Sequence, residues 1–338
     1  MTLLSVLDQS PIRSGATPVD AIHETLELAQ AADRLGYHRY WLAEHHSTLG
    51  LADPCPEILI GQVAARTARI RVGAGGVMLT HYSALKVAEQ FRMLETLFPG
   101  RIDLGIGRAP GSDARTAQAL RHGPGALGLE HYPRQIADLI GFLRDSLEPG
   151  HAFAGVRAMP IGPTAPEVWL LGSSDESAAC AAHFGVAFSF AHFINDEGGA
   201  GITRAYAREF RPSPSLAAPQ ASVAAFVICA DTEAEAWRLA QSRDLFLLRL
   251  YTGRPGPYPS VEEAEAYPYT EREREIIRHT RRRTIAGAPE QVRERLLALG
   301  GAYGVDELVI VTITEDVKSR LRSYELLADV FGLERLAP

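Results

Sequence analysis

Lysine is almost missing from this chain of 338 residues: Lys86 and Lys318 are the only two, and arginine supplies the rest of the positive charge. A GC-rich genome explains that bias as readily as any function. Acids outnumber bases and the formal net charge is -7, so there is no overall basic field to hold nucleic acid or an anionic membrane surface. Cysteine is equally scarce. Cys55, Cys180 and Cys229 are widely spaced, odd in number and form no C-x-x-C pair, which argues against a disulfide framework or a zinc knuckle and fits a cytoplasmic protein. No stretch approaches about 18 uninterrupted apolar residues, and Met1 to Ser10 has no basic region leading into a long apolar run. Neither membrane insertion nor secretion is expected. The chain also lacks G-x-x-x-x-G-K, G-x-S-x-G and H-E-x-x-H patterns, and shows no repeat of the solenoid kind.

What is present is ordinary globular material, 46% hydrophobic and therefore able to bury a core. Its length suits one (β/α)8 barrel, which occupies about 250 to 400 residues. Leu3 to Leu7 reads as a strand, and the following helix has Thr17 as cap, Pro18 in its first turn and Gly36 as its left-handed stop. Further strands are expected at Tyr40 to Ala43, Ile70 to Leu79, Ile102 to Gly107, Val168 to Leu171, Ala187 to Phe193, Ser222 to Cys229 and Glu307 to Thr312. Helical spacing falls between them, as in Ile58 to Arg66, Ala84 to Leu97, Arg134 to Leu147, Glu176 to Phe184 and Val317 to Phe331. Eight βα units predict an α/β fold, a closed parallel TIM barrel in a single domain spanning 1–338. A doubly wound sheet is the alternative. The segment Gly253 to Arg283, first rich in proline and tyrosine and then strongly charged, breaks the rhythm and reads as a late insertion placed beside the site as a lid.

Barrel sites form where strands end. Trp41-Leu42-Ala43-Glu44-His45-His46 ends a strand in a carboxylate and two imidazoles, which can handle protons near neutrality, with Glu44 available to orient a ring. Two polar residues closing a strand are an equally common outcome. Metal is set aside, because adjacent side chains on an extended chain point in different directions. The cluster Gly73, Gly75 and Gly76 lets a flat ligand approach the main chain, although a barrel bulge is the more frequent cause of such glycines. Gly105 to Gly111, which contains Arg108, and Leu171 to Ser177, which opens a helix with Ser173, Ser174 and Ser177, together offer a charged fork and free amides for a phosphate. Plain N-capping is the commoner use of serine there. The glycines around Arg108 match a dinucleotide fingerprint poorly, since the third is displaced and no helix follows promptly.

Taken in order, Tyr40 to His46, Arg71 to Leu79, Phe98 to Arg108 and Ala286 to Val292 resemble the bacterial-luciferase-like flavin monooxygenases over nearly the whole chain. The resemblance implies FMN held at the strand C-termini and used as FMNH2, with O2 forming a peroxyflavin that oxidises a small organic substrate. It makes His45 the catalytic histidine and His46 structural. Arg108, Ser173, Ser174, Ser177 and Arg134 become phosphate contacts, and Gly75 and Gly76 a non-prolyl cis peptide behind the ring. Reduced flavin would come from a separate NAD(P)H-dependent flavin reductase, and a homodimer is expected by family analogy. The arginine-rich composition would suit a tailoring enzyme acting on a natural-product intermediate. Two alternatives stand beside this reading: an F420-dependent hydride-transfer enzyme of the same fold, and a non-catalytic flavin-binding protein. Tyr251, Tyr258 and Trp41 are candidates for aromatic surface around the substrate.

Overall fold

Local chemistry sets the first helix. The Thr17 hydroxyl and the Asp20 carboxylate form a reciprocal capping box, Pro18 opens the first turn, and Gly36 at φ 88° ends the helix. That helix, α1 (Pro18–Leu35), follows strand β1 (Leu3–Asp8). The computed structural model describes residues 2–109, 111–121 and 128–336. Pro110 of the motif around Arg108, and most of the glycine-rich stretch before Arg134, lie outside the described residues.

The alternation continues through β2 (Arg39–Leu42), α2 (Pro56–Arg66), β3 (Arg71–Met78), α3 (Ala84–Leu97), β4 (Ile102–Gly107), α4 (Ala114–Leu120) and α5 (Tyr132–Arg144). Then come β5 (Glu167–Gly172), α6 (Asp175–Phe184), β6 (Ala187–Ala191), α7 (Gly199–Glu209), β7 (Ala221–Cys229) and α8 (Glu233–Tyr251). The chain finishes with α9 (Val261–Ala266), α10 (Glu271–Arg281), β8 (Thr284–Gly287), α11 (Pro289–Tyr303), β9 (Glu307–Val311) and α12 (Val317–Phe331). Neighbouring strands pair in parallel from β1 to β7, and β9 pairs with both β7 and β1, so eight strands close into the expected barrel. The ninth strand, β8, was not foreseen. It pairs with Phe226 to Cys229 of β7, beyond the level where β6 pairs. Four residues running straight into Pro289 carry too little periodicity to announce a strand.

Strand pleating sorts the core into two layers. Val6, Tyr40, Leu42, Leu104, Ile106, Leu170 and Phe188 pack outward against helix residues such as Leu28, Phe91 and Leu327. Leu7, Trp41, Trp169, Ala224, Phe226 and Val309 alternate with them and fill the barrel, with Trp41 and Trp169 meeting edge to face at 5.1 Å between ring centres. Below that pair a polar plug closes the strand N-termini. Arg39 bonds Asp103 at 2.9 Å, Glu167 at 2.7 Å and Glu307 at 2.9 Å, while Trp41 Nε1 donates to Asp103 at 2.9 Å.

Residues 253–283 lie across the opposite, C-terminal face. Tyr258 is buried, donating its backbone N–H to the Ile12 carbonyl at 2.7 Å and its hydroxyl to the Ile313 carbonyl at 3.0 Å. At the far end Arg282 pairs with Asp196, beyond β6, at 3.1 Å. The segment carries two helices, α9 and α10, and is tied down at both ends.

Candidate active site

After β2 the chain turns onto the C-terminal face, and its backbone is pinned on both sides. Ala43 N–H donates to Asp8 at 2.9 Å, His45 N–H to the Asp53 carbonyl at 3.0 Å, and His46 N–H to the Gly111 carbonyl at 3.1 Å. Glu44 is buried and fully engaged. Its Oε1 lies 2.7 Å from His46 Nε2 and accepts from Tyr82 Oη at 2.9 Å, and its Oε2 accepts from Met78 N–H at 3.0 Å. Glu44 therefore orients the ring of His46, not that of His45.

His45 is left for chemistry. Its Nδ1 is enclosed without a partner, so Nε2 is the nitrogen available to the cavity that His45 lines. The ring is half-buried and faces that cavity. Burial, with a smaller push from neighbouring His46, lowers its pKa to about 4, which keeps the imidazole neutral at physiological pH.

The cavity measures about 330 Å³. Leu7, Trp41, Leu171 and Val309 form apolar walls, and Gly75 and Gly76 lie along one side. The Gly75-Gly76 peptide is cis, as the resemblance implied. Space requires glycine at Gly76, where a Cβ would lie 2.8 Å from the Gly105 carbonyl oxygen; on Gly75 it would lie 2.6 Å from Leu7 Cδ1, the end of a side chain that can turn aside, and 3.0 Å from Trp41 Cβ. A flat ring can rest against this backbone, where a larger residue in place of Gly76 would already collide with the barrel.

At one end of the same cavity stand Arg108, Ser173, Ser174 and Ser177. Ser174 occupies the N-cap of α6 yet makes no side-chain capping bond, so N-capping does not account for its hydroxyl. The free amides of that helix end, the serine hydroxyls and the Arg108 guanidinium make a cradle for a dianion. In this structure Arg108 contacts Glu176 of the first α6 turn. These groups fit a flavin phosphate, with the apolar middle of the cavity fitting the ring. Arg134 is not brought to it. It is exposed on the first turn of α5 and is not among the lining residues. Of the aromatic candidates, Trp41 lines the cavity while Tyr251 is exposed and Tyr258 lies in the core.

Sequence reading missed Gln9, Met78, Ser189, Phe193 and Ile194, all of which line the cavity. Ser189 was findable, as a polar residue inside the apolar strand β6. Among the described residues no group of His, Cys, Asp and Glu could hold a metal ion, and no helix is long and apolar enough to cross a membrane.

The chain is similar to known proteins over nearly its whole length. The N-acetyl-S-alkylcysteine monooxygenase of Bacillus subtilis is 40% identical over 334 residues, covering 97% of this chain and 98% of that protein. A luciferase-like monooxygenase of Escherichia coli K12 is 39% identical, covering 96% of each chain. Among solved structures, apo-MsnO8 superimposes with a TM-score of 0.90 at 38% identity, covering 99% of this chain and 100% of its own. More distant likenesses concern the fold alone. One is the oxygenating constituent of 3,6-diketocamphane monooxygenase of Pseudomonas putida with FMN, at TM-score 0.70, 20% identity and full coverage of both chains. Another is an F420-dependent secondary alcohol dehydrogenase, at TM-score 0.68 and 12% identity, covering 97% of this chain and 98% of its own. The family model for luciferase-like monooxygenases matches residues 2–307, and the chain belongs to that family of flavin-dependent monooxygenases.

Proposed function

We propose that the protein is the oxygenating component of a two-component system, binding FMNH2 delivered by a separate NAD(P)H-dependent flavin reductase and using O2 to oxidise a small organic substrate. The observation that carries this reading is the meeting, in one cavity, of an anion cradle, a glycine wall and a neutral imidazole. Bound there, FMNH2 would supply the reducing equivalents with which O2 is activated. Arg108, Ser173, Ser174 and Ser177 hold the phosphate end. Gly75 and Gly76 admit the ring, and the apolar walls exclude water from it. His45, neutral and open at Nε2, accepts or returns a proton beside the ring. The dinucleotide fingerprint is poorly matched around Arg108, which supports an outside source of reduced flavin. A cytoplasmic homodimer is part of the same proposal.

The test is rapid mixing of the protein with photoreduced FMN in aerated buffer. Wild type should slow flavin reoxidation relative to free FMNH2, and His45→Ala should shorten that delay. Reoxidation at the free-flavin rate with both proteins would refute the proposal. A parallel titration separates the hydride-transfer reading, because tight binding of F420 with none of FMN would replace the oxygenase assignment.

A further inference from the structure

Two buried arginines near the barrel mouth lack an acid to balance them. Arg243, on α8, is 3% exposed, and Arg283, just before β8, is 7% exposed. Arg243 lays its guanidinium 4.3 Å from the centre of the Phe226 ring, and its Nη1 makes only a long 3.5 Å contact with the Thr280 carbonyl. Arg283 donates to the Ile194 carbonyl and, at 3.2 Å, to the Tyr251 hydroxyl, while its Nε is buried with no partner. Among the described residues neither guanidinium has a carboxylate within 4.0 Å. Asp244, the acid next along the chain, is held by Arg281 at 2.6 Å.

Of the other buried arginines two are balanced, whereas Arg92 on α3 also has a buried Nε with no partner. Arg39 meets three carboxylates, and Arg320 meets Asp8 at 2.6 Å. An unpaired buried charge is costly, and its neighbour adds repulsion. Desolvation, with a smaller push from Arg283, lowers the Arg243 pKa to about 10 in spite of nearby tyrosines and Asp244. The cation-π contact with Phe226 offsets only part of that cost.

Their position supplies a use. Phe226 stands one pleat beyond Ala224 on the inner face of β7, and Ala224 lines the catalytic cavity. Ile194, whose carbonyl holds Arg283, lines it too. Arg283 and Tyr251 also border an outer groove with Arg272 and His279, where Glu275 is the one acid.

We propose that Arg243 and Arg283 form an anion-recognition subsite that takes a carboxylate of the organic substrate and seats its remaining, reacting part in the His45 cavity. The inference rests on the monooxygenase reading of that cavity and names its substrate class. The two guanidinium groups supply the positive charge that a carboxylate needs, and the Phe226 ring under Arg243 offers an apolar floor for the adjoining carbon chain. A neutral analogue leaves both charges unpaired, so the subsite discriminates by charge.

Hexanoate and hexanamide serve as probes of equal length, titrated calorimetrically into flavin-free wild type, Arg243→Met and Arg283→Met. Wild type should bind hexanoate at least about tenfold more tightly than hexanamide, and each variant should lose about tenfold or more for hexanoate alone. Without probe, the variants should melt at or above the wild-type temperature, because an unbalanced charge has been removed. FMN affinity, followed by flavin fluorescence, should be unchanged in both. Should either methionine variant fail to fold, the lysine variant at that position keeps the charge, loses the fork, and should still lose hexanoate affinity. Equal binding of the two probes by wild type overturns the subsite, as does unchanged hexanoate affinity in the variants. Hexanoate that binds but leaves the spectrum of cavity-bound FMN unperturbed overturns the substrate assignment in favour of an isolated anion site in the groove. Failure of wild type to slow the reoxidation of FMNH2 would instead sink the monooxygenase reading, and the probe titration, run without flavin, reports on the subsite separately.

Discussion

At His45 and Asp53, burial acts in opposite directions on two groups joined by one backbone hydrogen bond. His45 is held neutral, its pKa lowered from an ordinary 6.5 to about 4, so it favours the folded state above pH 6.5 and loses that contribution as the pH falls toward 4. The amount at stake is on the order of 3 kcal/mol. Urea unfolding between pH 4.5 and 7.5 should show a smaller loss of stability on acidification in His45→Gln than in wild type. Asp53 behaves in the reverse sense. Burial raises its pKa from an ordinary 3.8 to about 7, against a bond from Cys55 N–H, and its Oδ2 has no partner. Its contribution is therefore full below about pH 4 and is lost as the pH rises through 7. Asp53→Asn keeps the acceptor for Cys55 and should be more stable than wild type by about 1 kcal/mol or more at pH 8, with the difference vanishing near pH 4. Equal stability at both pH values would mean that Asp53 finds a partner in solution.

At the level of elements, the α6 N-terminus and the end of β4 supply the proposed phosphate cradle from two pieces of chain. Each piece was legible alone: serines before a helix, and an arginine after a glycine-rich strand. Their approach was expected too, as the ends of neighbouring strands, and the direct pairing of β4 with β5 brings it about. Arg108→Gln should weaken FMN binding about tenfold to a hundredfold while leaving riboflavin, which has no phosphate, bound as before. Fluorescence quenching titrations with both flavins check this; equal losses for the two would place Arg108 outside the phosphate site. Elsewhere two short elements were missed, and so were α9 and the eleven-residue α10 within the segment read as an insertion. α4 is seven residues long and β8 four, too brief for periodicity to rise above composition. The first helix was legible because one or two neighbouring residues decide a helix end.

Across the whole molecule, charge is sorted along the barrel axis. Arg39 and its three acids close the end of the strand N-termini, the tryptophan pair forms a dry middle layer, and the catalytic cavity opens at the other end. The plug is costly to interrupt. Arg39→Met leaves the buried Glu307 without its cation and Asp103 with Arg71 alone, and should reduce the free energy of unfolding by about 3–5 kcal/mol, measurable by urea titration. A loss under 1 kcal/mol would mean that water reaches the plug and screens it.

Sequence by itself determined the βα alternation, the helix ends, the barrel, and the strand-end positions of Glu44, His45, His46, Gly75, Gly76 and Arg108, because propensity, pleat and capping are decided by neighbours within a few residues. Tertiary structure decided which imidazole is free and which is held, that Arg134 stays outside, and that Arg243 and Arg283 share a buried place without an acid. Desolvation and charge balance are sums over groups from remote parts of the chain, and they take a value only once the barrel has closed.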